Sequence, residues 1–126
     1  PVAYLHEDMG AALASADLVV SRAGASTLGE FPLFGLPAVL VPYPYAWRYQ
    51  KINAQYLVDH HAAIMLPDEE MDNRLLNEII ECLSQPNILD EMRSAMYSLA
   101  KPDAAQQIGN LITQQLNLAS QKGGHA

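Results

Sequence analysis

Three short, unbroken apolar runs constrain this chain more than any other feature. They are Asp17-Leu18-Val19-Val20, Ala38-Val39-Leu40-Val41-Pro42 and Ala62-Ala63-Ile64-Met65-Leu66. A strand with one wet face alternates apolar and polar residues. These runs do not alternate, so they read as strands covered on both faces, as in a parallel sheet flanked by helices. Helical patterns lie between them. The first carries Leu28, Phe31 and either Phe34 or Leu33 inward, stops at Gly35, and contains a proline, Pro32, that should distort it. The second spans 50–60, with Ile52, Tyr56 and Leu57 on its inner side. Strands alternating with helices predict an α/β fold with a parallel sheet. In such sheets ligands sit beyond the carboxyl ends of the strands. Two loops leave strand ends and enter helices there, 21–27 and 42–50.

Around this centre the pattern predicts a short strand at 2–5 and a short Ala-rich helix at 8–14. After the third run come helices at 71–83, 88–99 and 103–118, separated by Pro86 and Pro102. Residues 1–120 read as one domain, and 121–126 as a loose tail. The chain opens on Pro1, without an initiator methionine, and reads as a segment of a longer protein. A net charge of −7, with seven Lys and Arg scattered along 126 residues, argues against a nucleic-acid surface. The single cysteine, Cys82, excludes an internal disulfide framework and reads as a small core residue in a reducing compartment. No run approaches the length of an apolar membrane span.

Metal ligation has little support. His60 and His61 are adjacent at a helix end, where a C-terminal role suits them better, and His6 and His125 stand alone. No Ser, Cys or Lys sits in a nucleophile motif, and no Walker lysine or full dinucleotide fingerprint is present. The residues that could carry chemistry are those of a binding site.

The first loop, Ser21-Arg22-Ala23-Gly24-Ala25-Ser26-Thr27-Leu28-Gly29-Glu30, is a small-residue turn opening a helix. Free backbone N–H groups and the positive end of the helix dipole make such a turn a site for phosphate. Gly24, Ala25 and Ser26 let a ligand approach the main chain closely. The competing reading is that Thr27-x-x-Glu30 forms a capping box and binds nothing. In the second loop Gln50 and Asn53, three apart at a helix start, can point together at a polar ligand, or be ordinary surface amides. Arg22 and Arg48 could balance a ligand charge or lie on the surface. Trp47, Tyr43 and Tyr45 could line a cleft or pack a Pro-rich loop.

Taken in order, Ala16 to Glu30, then Gly35-Leu36-Pro37-Ala38-Val39-Leu40-Val41-Pro42-Tyr43-Pro44, then Gln50-x-x-Asn53-Ala54, resemble the C-terminal half of the MurG family. Leu5-His6-Glu7-Asp8-Met9 and Pro102-Asp103-Ala104-Ala105 fit the same family, so the resemblance covers nearly the whole chain. It implies two Rossmann-like domains facing a cleft, the GT-B arrangement, of which this is the C-terminal, donor-holding part. The implied activity is inverting, metal-independent transfer of N-acetylglucosamine from UDP-N-acetylglucosamine to the lipid-linked MurNAc-pentapeptide of peptidoglycan synthesis, with no cofactor. The acceptor, the general base and the membrane contact would come from an N-terminal domain, at the cytoplasmic face of the bacterial inner membrane. Carried over by position, the backbone at His6 would meet the uracil, and Ala25, Ser26 and Thr27 would lie along the diphosphate. Glu30 would take the ribose hydroxyls and Gln50 the sugar hydroxyls, with Asn53 supporting it. No catalytic residue is expected within the segment. Tyr49, Arg48 and Pro32 depart from the family's usual residues, which are histidine or glutamine, an acid, and a plain helix former. Two alternatives remain beside this one: another GT-B transferase of UDP- or dTDP-sugars, and a non-catalytic nucleotide-sugar-binding subunit that needs a partner chain.

Overall fold

The computed structural model describes residues 1–45 and 49–123, with side chains followed up to residue 117. Trp47 and Arg48 therefore lie outside the described residues, as does His125. Three strands, β1 (Val19–Ser21), β2 (Ala38–Leu40) and β3 (Ala63–Met65), form one parallel sheet in the order β1-β2-β3. The register pairs Val19 with Ala38 and Ala38 with Ala63. Helices α2 (Thr27–Phe34) and α3 (Tyr49–Asp59) connect them as two successive βαβ units. This is the α/β parallel architecture that the three apolar runs predict.

Side-chain alternation on β2 builds two cores. Ala38 and Leu40 join Phe31 of α2, Ala54 and Leu57 of α3, and Met96 on one face. Val39 and Val41 join Leu66, Cys82 and Leu89 on the other. Both α2 and α3 thus cover the same face, as two crossovers of one hand require. Helices α4 (Met71–Ser84) and α5 (Pro86–Ser98) supply Cys82, Leu89 and Met96, with Pro86 at the first turn of α5, where its missing N–H costs nothing. Cys82 is buried as expected, and burial raises its thiol above the usual pKa range. Helix α2 ends on Gly35, at φ +57° in the left-handed region, with the Tyr97 ring across it. A Cβ there would lie 2.2 Å from that ring, so backbone conformation and packing both require glycine.

Several expectations are corrected. Residues 2–5 form no strand, because no neighbouring strand among the described residues offers them a ladder, and Val2 and Tyr4 are exposed. The first run is not covered on both faces: β1 is an edge strand and Val20 is 41% exposed. On α3 the inward stripe is Ala54 and Leu57, whereas Ile52 and Tyr56 are exposed. On α2, Leu33 is exposed and Phe34 half-buried, which decides between them. That helix also runs through Pro32, which is fully buried. The last helix, α6 (Ala104–Gly123), extends into the expected tail through residue 123. A helix α1 (Met9–Ser15) precedes β1.

Candidate functional site

Both strand-to-helix loops leave the same, carboxyl edge of the sheet. A concavity of about 370 Å³ opens there, lined by Ser21, Arg22, Gly24, Ser26, Thr27, Glu30 and Gln50, with Met9 and Leu13 of α1 on its wall. Its size falls in the range of small-molecule sites. Ser26, Thr27, Glu30 and Gln50 are thus brought together. Ala25 lies between lining residues, while Asn53 and His6 are not in the wall. His6 stands just before α1, its ring stacked on Tyr4 with centroids 6.0 Å apart.

The turn entering α2 is shaped by its own backbone. The Thr27 hydroxyl donates to the Gly24 carbonyl at 2.6 Å, and the Thr27 N–H points to the same oxygen at 3.2 Å. Thr27 is buried, and with its proton committed the hydroxyl cannot donate to a phosphate. The N–H groups of Gly24, Ala25 and Ser26 have no acceptor among the described residues, so they are the turn's free donors.

A capping box is not formed. Ser26 is the N-cap residue without a side-chain cap bond, and the Glu30 N–H goes to the Ser26 carbonyl at 2.8 Å. The Glu30 carboxylate, in the first turn of α2, is exposed, with no hydrogen bond or ion pair among the described residues. Gly24 is instructive. Its φ is not positive, and a Cβ built there meets nothing within 4 Å among the described residues. Among the described residues neither backbone conformation nor packing demands glycine at this place, as at Gly29 and in contrast to Gly35.

The second loop is held by side chains. Gln50 accepts the Tyr43 N–H on Oε1 at 2.8 Å. A backbone N–H only donates, so the amide oxygen must face it and the amide NH₂ is left for another partner. Asn53 donates from Nδ2 to the Ala23 carbonyl at 3.0 Å, tying α3 to the first loop rather than to Gln50. Neither is an ordinary surface amide. Arg22 turns toward Asp68, Val41 and Tyr43. That contact joins residues 46 positions apart, and no local sequence signal announces it. His60 Nδ1 lies 2.7 Å from the Tyr56 carbonyl in the last turn of α3, the helix-end role expected for it. Among the described residues no three His, Cys, Asp or Glu are grouped to hold a metal ion.

N–H donors at a helix start and a carboxylate, all without partners among the described residues, together with a donor amide suit an anionic, hydroxyl-rich ligand. Comparison with known proteins identifies the family. The model of the glycosyltransferase family 28 C-terminal domain matches residues 2–108. The chain is 43% identical over 110 residues to a UDP-N-acetylglucosamine--N-acetylmuramyl-(pentapeptide) pyrophosphoryl-undecaprenol N-acetylglucosamine transferase of Chlorobium limicola, covering 86% of this chain and 30% of that protein. It is 38% identical over 109 residues to the protein of the same name from Rippkaea orientalis, covering 85% and 31%. The crystal structure of Acinetobacter baumannii MurG superposes with a TM-score of 0.78 at 36% identity, over 87% of this chain and 32% of that one. The chain therefore spans just under a third of the length of these relatives.

Proposed function

The chain belongs to the glycosyltransferase family 28 C-terminal domain family, and on that premise we propose that it is the donor-holding part of an N-acetylglucosaminyltransferase. The donor is UDP-N-acetylglucosamine, and the acceptor is the undecaprenyl-pyrophosphoryl MurNAc-pentapeptide of peptidoglycan synthesis. One observation carries the reading: the turn at Gly24, with N–H groups that find no acceptor among the described residues, shares one concavity with Glu30, unpaired among those residues, and with Gln50. A ligand crossing from the first loop to the second gives all three a use.

The diphosphate lies along Ala25, Ser26 and Thr27, where the N–H groups of Ala25 and Ser26 and the α2 dipole stabilise the charge that grows as UDP departs. Glu30 accepts from the ribose hydroxyls, Gln50 donates to the sugar hydroxyls, and Asn53 fixes α3 to the first loop. The backbone at His6 meets the uracil, since α1, which follows it, forms one wall of the concavity. Deprotonation of the acceptor hydroxyl falls to the remaining part of the protein, across the cleft. Closure of that part over the donor excludes water from the departing sugar. Residues 1–120 are on this account a partial donor domain. Among the described residues no helix is long and apolar enough to cross a membrane. The undecaprenyl acceptor nevertheless places the reaction at the cytoplasmic face of the bacterial inner membrane, with membrane contact made elsewhere in the protein.

Calorimetric titration of the intact protein with UDP-N-acetylglucosamine tests the reading. Binding that weakens in Glu30→Gln supports it, and absence of binding by the unaltered protein overturns it.

A further inference from the structure

One side chain ties three separate segments of the sheet's carboxyl edge together. Arg22 follows directly on the last residue of β1. Its Nη1 donates to the Val41 carbonyl, one residue past β2, at 3.1 Å. The same nitrogen pairs with Asp68, which opens the 3-10 turn (Asp68–Glu70) after β3. The guanidinium also lies over the Tyr43 ring, 5.4 Å from its centroid. Tyr43 in turn supplies the N–H that holds the Gln50 oxygen. The chain of contacts runs from Asp68 through Arg22 and Tyr43 to the amide that faces the concavity.

An ion pair this exposed, at 44% and 32%, contributes little to stability by itself. Its geometry has a different use. A planar guanidinium can donate in its plane to a carbonyl and a carboxylate while its face rests on an aromatic ring. Those contacts hold the guanidinium against the Tyr43 ring at the carboxyl edge of the sheet. The Tyr43 N–H then sets which way the Gln50 amide points. Released from it, Gln50 would turn freely, and its NH₂ would no longer be directed at a hydroxyl.

We propose that Arg22, held by Asp68, is a positioning residue for the sugar half of the donor: it lines the concavity, but its guanidinium is turned to Val41, Asp68 and Tyr43, and it acts by orienting Gln50 through Tyr43. This rests on the assignment of Gln50 to the sugar made above. It separates Arg22 from the diphosphate, which a cation beside an anion site would otherwise be taken to bind.

The test is binding of two ligands, UDP-N-acetylglucosamine and UDP, by the intact protein and its variants. Arg22→Lys keeps the charge but loses the plane and the fork, so sugar-nucleotide affinity should fall about fourfold, no more than when Gln50 itself is removed, while UDP affinity stays unchanged within error. Asp68→Asn keeps an acceptor for Arg22 and should give a smaller loss of the same selectivity. In a Gln50→Ala background, Arg22→Lys should cause no further loss, because the amide it orients is gone. Equal weakening of both ligands, or a full additional loss in the Gln50→Ala background, would show Arg22 acting on the phosphates or the fold and overturn the proposal. Wild-type protein that binds UDP but gains nothing from the sugar would overturn the Gln50 assignment and this proposal together. Thermal unfolding of each variant identifies any loss that comes from misfolding, and Asp68→Asn supplies the readout should Arg22→Lys fail to fold.

Discussion

The two strand-to-helix junctions at the carboxyl edge solve the same problem by opposite means. The turn into α2 is a backbone device: small residues, three N–H groups without an acceptor among the described residues, and a buried threonine tied to a carbonyl three residues back. The loop into α3 is a side-chain device, in which Gln50 and Asn53 reach out to the backbone of Tyr43 and Ala23. The first is set by local sequence, with a brace from Asn53 to the Ala23 carbonyl. The second is correct only when the first is in place, since Asn53 is anchored on it. A backbone site recognises charge and shape, which suits a diphosphate. Oriented amides recognise hydroxyls, which suits a sugar.

If that division is right, substitutions in the first junction should change affinity for UDP itself. Ser26→Asp gives the largest expected effect. A carboxylate at the N-cap favours the helix dipole and should leave stability equal or higher by about 0.5 kcal/mol. The same charge beside a diphosphate should lower UDP affinity about a hundredfold, by the roughly 3 kcal/mol of like-charge repulsion at about 5 Å near a surface. Opposite signs in melting and binding would separate the anion site from a simple helix start. Glu30→Gln comes next. Its carboxylate has no partner among the described residues, so stability should move by less than about 0.5 kcal/mol. UDP affinity should fall about tenfold in calorimetry, through loss of a charge-assisted bond to the ribose.

The second junction should behave differently. Gln50→Ala is expected to weaken UDP-N-acetylglucosamine about fivefold and leave UDP unchanged within error. Equal loss of both would merge the two junctions into one site and end the comparison. Asn53→Ala is the mildest variant in binding. It removes the tie between α3 and the first loop, so it should cost about 1 kcal/mol in denaturant unfolding and weaken both ligands two- to threefold.

Much of this frame was readable in the chain. Unbroken apolar runs announced a parallel sheet, because a two-sided burial requirement leaves no room for polar alternation. The small-residue turn announced itself for an equally local reason. Errors arose where neighbours decide. The inward stripe of α3 carries Ala54 beside the expected Leu57, whereas Ile52 and Tyr56 are exposed and Tyr56 rests on His60 at the surface. Residues 2–5 have strand composition but no partner strand among the described residues, and composition cannot supply a ladder. The Thr27-x-x-Glu30 spacing fits a capping box, yet the Gly24 carbonyl takes the hydroxyl first. Arg22 joins Asp68 across 46 positions, and nothing at either place signals the other.

The central claim is that one nucleotide sugar spans both junctions, and a crystal structure of the intact protein with UDP-N-acetylglucosamine tests it most directly. The account predicts the diphosphate within hydrogen-bond distance of the N–H groups at Gly24 to Ser26, the ribose on Glu30 and the sugar on Gln50. A second concavity of about 350 Å³, lined by Pro42, Tyr43, Pro44, Lys51, Met65, Pro67 and Glu69, also opens beside the second loop. Nucleotide found there, with the turn at Gly24 empty, would contradict the account.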